Sequence, residues 1–192
     1  MKKTALAAAV VLMATPALAH TGHLTNGFLP GLEHPLGGID HVLAMVAVGL
    51  WSGFILPGRV WAGAATFMGA MITGAAVSWT GVPLPMVETW ITLSVVVFGL
   101  LTILSRRGQA GGLTLLSLAV IGLFAAAHGY AHASEVSGGA VAYTAGFLLS
   151  TAMLHLVGIG MVRLTTHGAV ARLIQRSAGV AVTLGGLWLF AG

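Results

Sequence analysis

No cysteine occurs in this chain, which excludes disulfides, thiolate metal sites, iron–sulfur clusters and cysteine nucleophiles. Charge is almost as scarce. Of 192 residues, eight are Lys or Arg and four are Asp or Glu, or 6%, where a soluble domain carries about 25%. That excludes an ordinary soluble domain. Intrinsic disorder is excluded as well, because 57% of the residues are apolar and the mean hydropathy is +0.99. No Walker motif is present, so this chain supplies no ATPase. No nucleic-acid partner is expected; the expected surroundings are a lipid bilayer. What the chain does have is 28 glycines, which membrane helices use more than soluble ones do, and eight histidines, as many as its lysines and arginines together.

Residues 1–19 begin with Lys2 and Lys3, continue through an apolar run from Ala5 to Ala14, meet Pro16 and end Ala17-Leu18-Ala19. A charged n-region, a short apolar h-region and an A-x-A site read as a secretory signal peptide cleaved after Ala19. The mature chain, 20–192, would then start His20-Thr21-Gly22-His23 on the outer side of a bacterial inner membrane.

The remaining charges fall into stations of alternating sign. Glu33 and Asp40 come first, then Arg59, Glu88, Arg106 with Arg107, Glu135, and finally Arg163, Arg172 and Arg176. The uncharged stretches between them have lengths close to or above that of a membrane-crossing helix. The expected fold is therefore all-α, a single polytopic bundle of about six transmembrane helices at 37–56, 60–80, 87–104, 112–133, 139–161 and 174–191. Arginine-rich short loops stay in the cytoplasm, which agrees with the orientation set by the signal peptide. Arg172 and Arg176, at i and i+4, suit a helix on the inner lipid surface. Trp51, Trp61, Trp79, Trp90 and Trp188 fall near span ends, where interfacial Trp belongs. The six spans can also be read as two sets of three with opposite orientation, a common plan in transporters.

This topology gathers the polar residues at the outer face. Glu33, His34, Asp40 and His41 stand at the first span, Glu88 at the third, and His128, His132 and Glu135 at the end of the fourth. Ionisable groups in a bilayer cost at least about 2–3 kcal/mol each, so they face a bundle interior or wet cavity and mark a pathway. On a straight helix His34 and His41 would be about 10 Å apart and could not share an ion. Pro35, Gly37 and Gly38 instead point to an irregular segment, in which Asp40 could either hold a neighbouring imidazole or bind a cation directly. Met45, one turn after His41, reads as packing with a thioether in reserve.

His128 and His132, at i and i+4, share one helix face and can chelate a divalent transition metal, with Glu135 extending that face outward. Imidazoles and carboxylates without thiolate suit nickel, cobalt, zinc or copper(II). The metal candidates are thus His34, Asp40, His41, His128, His132, Glu88 and Glu135, joined by His20 and His23 at the mature terminus. His155 reads as either a second station on an exit path or a buried helix-to-helix hydrogen bond, and His167 as solvated. No catalytic residue set is visible, no prosthetic group is expected, and the chain reads as a carrier, not an enzyme. The rival reading is a bis-histidine haem protein carrying electrons.

The order of these motifs resembles the HupE/UreJ family of nickel permeases. The features are the signal peptide, His20-Thr21-Gly22-His23, the stretch His34-Pro35-Leu36-Gly37-Gly38-Ile39-Asp40-His41 with Met45, and the Ala127 to His132 segment with Glu135. Ala133 departs from the pattern, standing where a Gly is expected. The resemblance covers essentially the whole chain. It implies a secondary permease or facilitator importing Ni²⁺, or Co²⁺, for nickel enzymes such as urease or hydrogenase.

Overall fold

The computed structural model describes residues 27–136, 138–165 and 168–192. The signal segment, His20, His23 and His167 lie outside the described residues. Among those described, every regular element is an α-helix: α1 Phe28–Gly37, α2 Ile39–Ile55, α3 Ala62–Ser78, α4 Val87–Leu104, α5 Gly111–Glu135, α6 Ala140–Arg163 and α7 Ala169–Ala191. Five helices, α3 to α7, are long and apolar enough to cross a membrane, and the chain forms a polytopic bundle. The 17 residues of α2 reach about 25 Å. It meets α1 at 84°, and the bent pair counted as one span supplies the sixth crossing.

Two local expectations are corrected. The segment around Pro35 is helical through Gly37, and the break falls at Gly38, whose backbone is extended. Pro35, in the last turn, lacks the N–H that would bond back to the Gly31 carbonyl, so this helix is one hydrogen bond short. The last span begins at Ala169 instead of 174, so Arg172 and Arg176 belong to the first two turns of α7 and not to a separate surface helix. Gln175 is the reason. It is buried, and its amide donates to the carbonyls of Thr102 (2.7 Å) and Ser105 (2.9 Å) at the end of α4, which no helical N–H can satisfy.

The helices pair as α2 with α6, α3 with α5 and α4 with α7, while α1 packs on α6. Glycines make these pairings close. A Cβ at Gly74 would collide with the Ala126 carbonyl and one at Gly129 with the Met71 carbonyl, joining α3 to α5; Gly49 and Gly158 do the same for α2 and α6. Small residues at such crossings let backbones approach without a hydrophobic driving force. Exchanging α2, α3, α4 with α5, α6, α7 maps the α2–α6 pair onto α5–α3 and returns α4–α7 to itself. The α2–α4 contact has no comparable α5–α7 counterpart, so the correspondence between two three-helix halves is partial.

Polarity is arranged inside out, as a lipid environment requires. Leu115, Leu116, Leu123, Leu184 and Leu187 point outward, whereas Ser52, Ser94, Ser150, Thr151 and the four histidines His41, His128, His132 and His155 are buried. Trp61, Trp79, Trp90 and Trp188 are exposed, but Trp51 is buried and donates its indole N–H to Ser105 Oγ at 2.9 Å. Trp51 therefore packs the core instead of anchoring an interface.

Candidate metal centre

The 84° bend between α1 and α2 is what builds the site. It folds His34 back toward His41, and α5 brings His132 to both. One nitrogen from each of His34, His41 and His132 lies within 4.8 Å of the other two, among the described residues the group of histidines and carboxylates close enough to share an ion. The ring centroids are 5.6 Å apart for His34 and His41, 4.5 Å for His34 and His132, and 4.7 Å for His41 and His132. Three separate helices thus contribute one imidazole each. Phe147 of α6 closes the side, its ring 4.4 Å from that of His132, and Tyr143 lies 6.1 Å from His34.

Asp40 takes the first of the two roles open to it. Its Oδ1 accepts both the His41 backbone N–H (2.8 Å) and Nδ1–H (2.6 Å). A carboxylate only accepts when ionised, so the proton of His41 is on Nδ1 and the lone pair is on Nε2. That nitrogen faces Nε2 of His132 at 2.6 Å. A carboxylate holding the far nitrogen of an imidazole sets its tautomer and raises its basicity toward a metal. Gly38 permits this arrangement, since a Cβ there would stand 2.6 Å from Asp40 Oδ1 and 2.9 Å from His41 Nδ1.

His128 and His132 share a face, as their spacing requires, but their functional nitrogens part company. His132 reaches α2, whereas His128 Nε2 meets Ser94 Oγ of α4 at 3.0 Å. The Ser94 hydroxyl donates to the Ile91 carbonyl (2.6 Å), so it must accept from His128, leaving the lone pair of His128 on Nδ1. That atom is buried without a partner. The His128 ring is 5.2 Å from His41, one step deeper than the three-histidine group. No feature of the sequence marked Ser94, Tyr143 or Phe147, because a lone hydroxyl or aromatic on an apolar helix carries no spacing signal.

Glu88, in the first turn of α4, and Glu135, at the end of α5, are exposed and stand outside the three-histidine group, as does Glu33. Met45 is fully buried in the apolar core. His155 is buried, but its Nδ1 bonds to the Thr151 carbonyl of its own helix at 2.7 Å, so it makes no helix-to-helix bond there. At the opposite end, a cavity of about 960 Å³ is lined by Arg106, Arg107, Arg163, Arg172 and Arg176 among others.

Comparison with known proteins places the chain in a family. A family described as HupE / UreJ protein matches residues 8–189. Protein HupE of Rhizobium leguminosarum bv. viciae is 37% identical over 196 residues, covering 100% of both chains. No solved structure matches. With a match that spans nearly its whole length and a full-length relative at that identity, the chain belongs to the HupE/UreJ family.

Proposed function

We propose that this protein is a metal-ion permease of the bacterial inner membrane. It carries a divalent transition cation, Ni²⁺ foremost and Co²⁺ second, inward without ATP. The carrying observation is the convergence of His34, His41 and His132 from three helices within 4.8 Å. Neutral imidazoles backed by a carboxylate select borderline metals over Ca²⁺ or Mg²⁺, which take mostly oxygen. On the expected topology Glu33, Glu88 and Glu135, all exposed, would lie on the outer side and add negative charge there, and His20 and His23 at the mature terminus add donors that could collect the ion. Among the described residues, the arginine-lined cavity at the other end has no carboxylate in its wall, so a cation that reaches it is not retained there. Family membership favours a carrier and a supply role for nickel enzymes such as urease or hydrogenase.

The observation that favours an ion over a bis-histidine haem is that three imidazoles, not two, gather within 4.8 Å of one another. The test is uptake of radiolabelled Ni²⁺, Co²⁺, Zn²⁺ and Cu²⁺ by proteoliposomes of the purified chain. Uptake of Ni²⁺ above empty vesicles supports the reading, and absence of flux for all four metals refutes it.

A further inference from the structure

Deep in the bundle, His155 is 1% exposed, and its Nδ1–H donates to a backbone carbonyl that can only accept. Its lone pair is therefore on Nε2, and that nitrogen is buried with no partner. An orphaned buried acceptor costs free energy and calls for an explanation. Buried hydroxyls without a partner occur on the same helix at Thr151, one turn away on the same face, and at Ser150, and on α2, the helix packed against it, at Ser52, whose Oγ faces Gly63.

Its depth is telling. Phe147 touches the three-histidine group, and His155 follows it by eight residues on α6, about 12 Å further in at 1.5 Å per residue. Val162, in the wall of the arginine-lined cavity, comes seven residues later, about 10 Å beyond. His155 stands midway. A chain of ring contacts leads to it: His41 to His128 at 5.2 Å, His128 to Phe67 at 5.5 Å, Phe67 to His155 at 5.1 Å. Each imidazole on this line, His41, His128 and His155, donates one N–H to a fixed acceptor and keeps the other nitrogen as a lone pair. Metal-binding histidines are held in this way by a partner on the far nitrogen.

We infer that His155 Nε2, with the unpartnered Thr151 hydroxyl one turn away on the same helix face, is a second, deeper station for the transported divalent cation, occupied after the three-histidine group and before release into the arginine-lined cavity. The inference rests on the carrier reading above. A station midway replaces one long apolar barrier with two shorter ones, and a single imidazole aided at most by a neutral hydroxyl holds the ion loosely enough to pass it on.

The test uses the full chain, with Ni²⁺ as probe, and compares equilibrium binding in detergent with initial uptake in proteoliposomes. His155→Ala is expected to bind Ni²⁺ at the outer group within about twofold of wild type while uptake falls about tenfold or more. His155→Cys, which restores a metal-ligating atom, is expected to recover part of the flux, whereas His155→Asn, which restores only a hydrogen bond, is not. Uptake by His155→Ala at the wild-type rate overturns the station, as does equal recovery by Asn and Cys, which would make His155 a structural residue. If His155→Ala is poorly folded, the Cys and Asn pair decides alone. Absence of Ni²⁺ uptake by the wild type would instead refute the carrier reading itself.

Discussion

Nε2 of His41 and Nε2 of His132 face each other at 2.6 Å across the α2–α5 contact, although the residues are 91 apart in sequence. One proton shared between them satisfies both. A metal ion bonded to each at about 2.0–2.1 Å would set the nitrogens about 2.9 Å apart at a right angle and about 3.3 Å apart in a tetrahedron. Loading therefore asks α2 and α5 to part by less than about 1 Å at this level, a movement within reach of side-chain adjustment.

Removing the carboxylate that orients His41 should weaken the site without removing a direct ligand. Asp40→Ala is expected to lower Ni²⁺ affinity about 10- to 100-fold. Asp40→Asn should lose less, because its amide oxygen still accepts the Nδ1 proton. Isothermal titration of the two variants reads the difference.

Gly38 tests the same pair through sterics. A Cβ at this position would press on Asp40 Oδ1 and His41 Nδ1. Gly38→Ala should thus lower Ni²⁺ affinity in the same direction as Asp40→Ala while circular dichroism shows unchanged helix content. Wild-type affinity in Gly38→Ala would mean that the Asp40–His41 contact does not control binding.

Ser94 sets the tautomer of His128 by accepting its Nε2 proton. Ser94→Ala leaves a buried donor unsatisfied, at a cost of about 1–3 kcal/mol, and releases the Nδ1 lone pair from its fixed state. Thermal stability and uptake should both fall, with titrated Ni²⁺ affinity at His34, His41 and His132 held within about twofold.

Packing predictions turn on which glycines are crowded. Gly158→Ala in α6 drives a methyl into the α2 backbone, and such overpacking costs about 1–3 kcal/mol. Gly160, two residues on, has open space, so Gly160→Ala should stabilise by up to about 1 kcal/mol through helix propensity. Opposite shifts of the thermal midpoint for two substitutions in one turn are the expected result.

Helix ends were legible because charge is expensive in lipid and collects where helices stop: the span expected at 87–104 coincides with α4, Val87–Leu104. The start of α7 was not, because Arg172 and Arg176 read as a surface helix until the bonds of Gln175 to the end of α4 tie that segment to the bundle. His34, His41 and His132 were legible as candidates from their chemistry. Their grouping was not, since it depends on the 84° angle at Gly38, which Pro and Gly announce without specifying. The separation of His128 from His132 was hidden for the same kind of reason. Shared spacing puts two side chains on one face, but Ser94 and His41, on other helices, decide where each nitrogen points.

X-ray absorption at the nickel edge, on purified protein holding less than one equivalent of Ni²⁺, tests most directly whether the three imidazoles meet on one ion. The expected spectrum shows imidazole scattering from about three histidines, falling to about two in His132→Ala. A shell of oxygen alone, or a spectrum that His132→Ala leaves unchanged, would contradict the three-histidine centre.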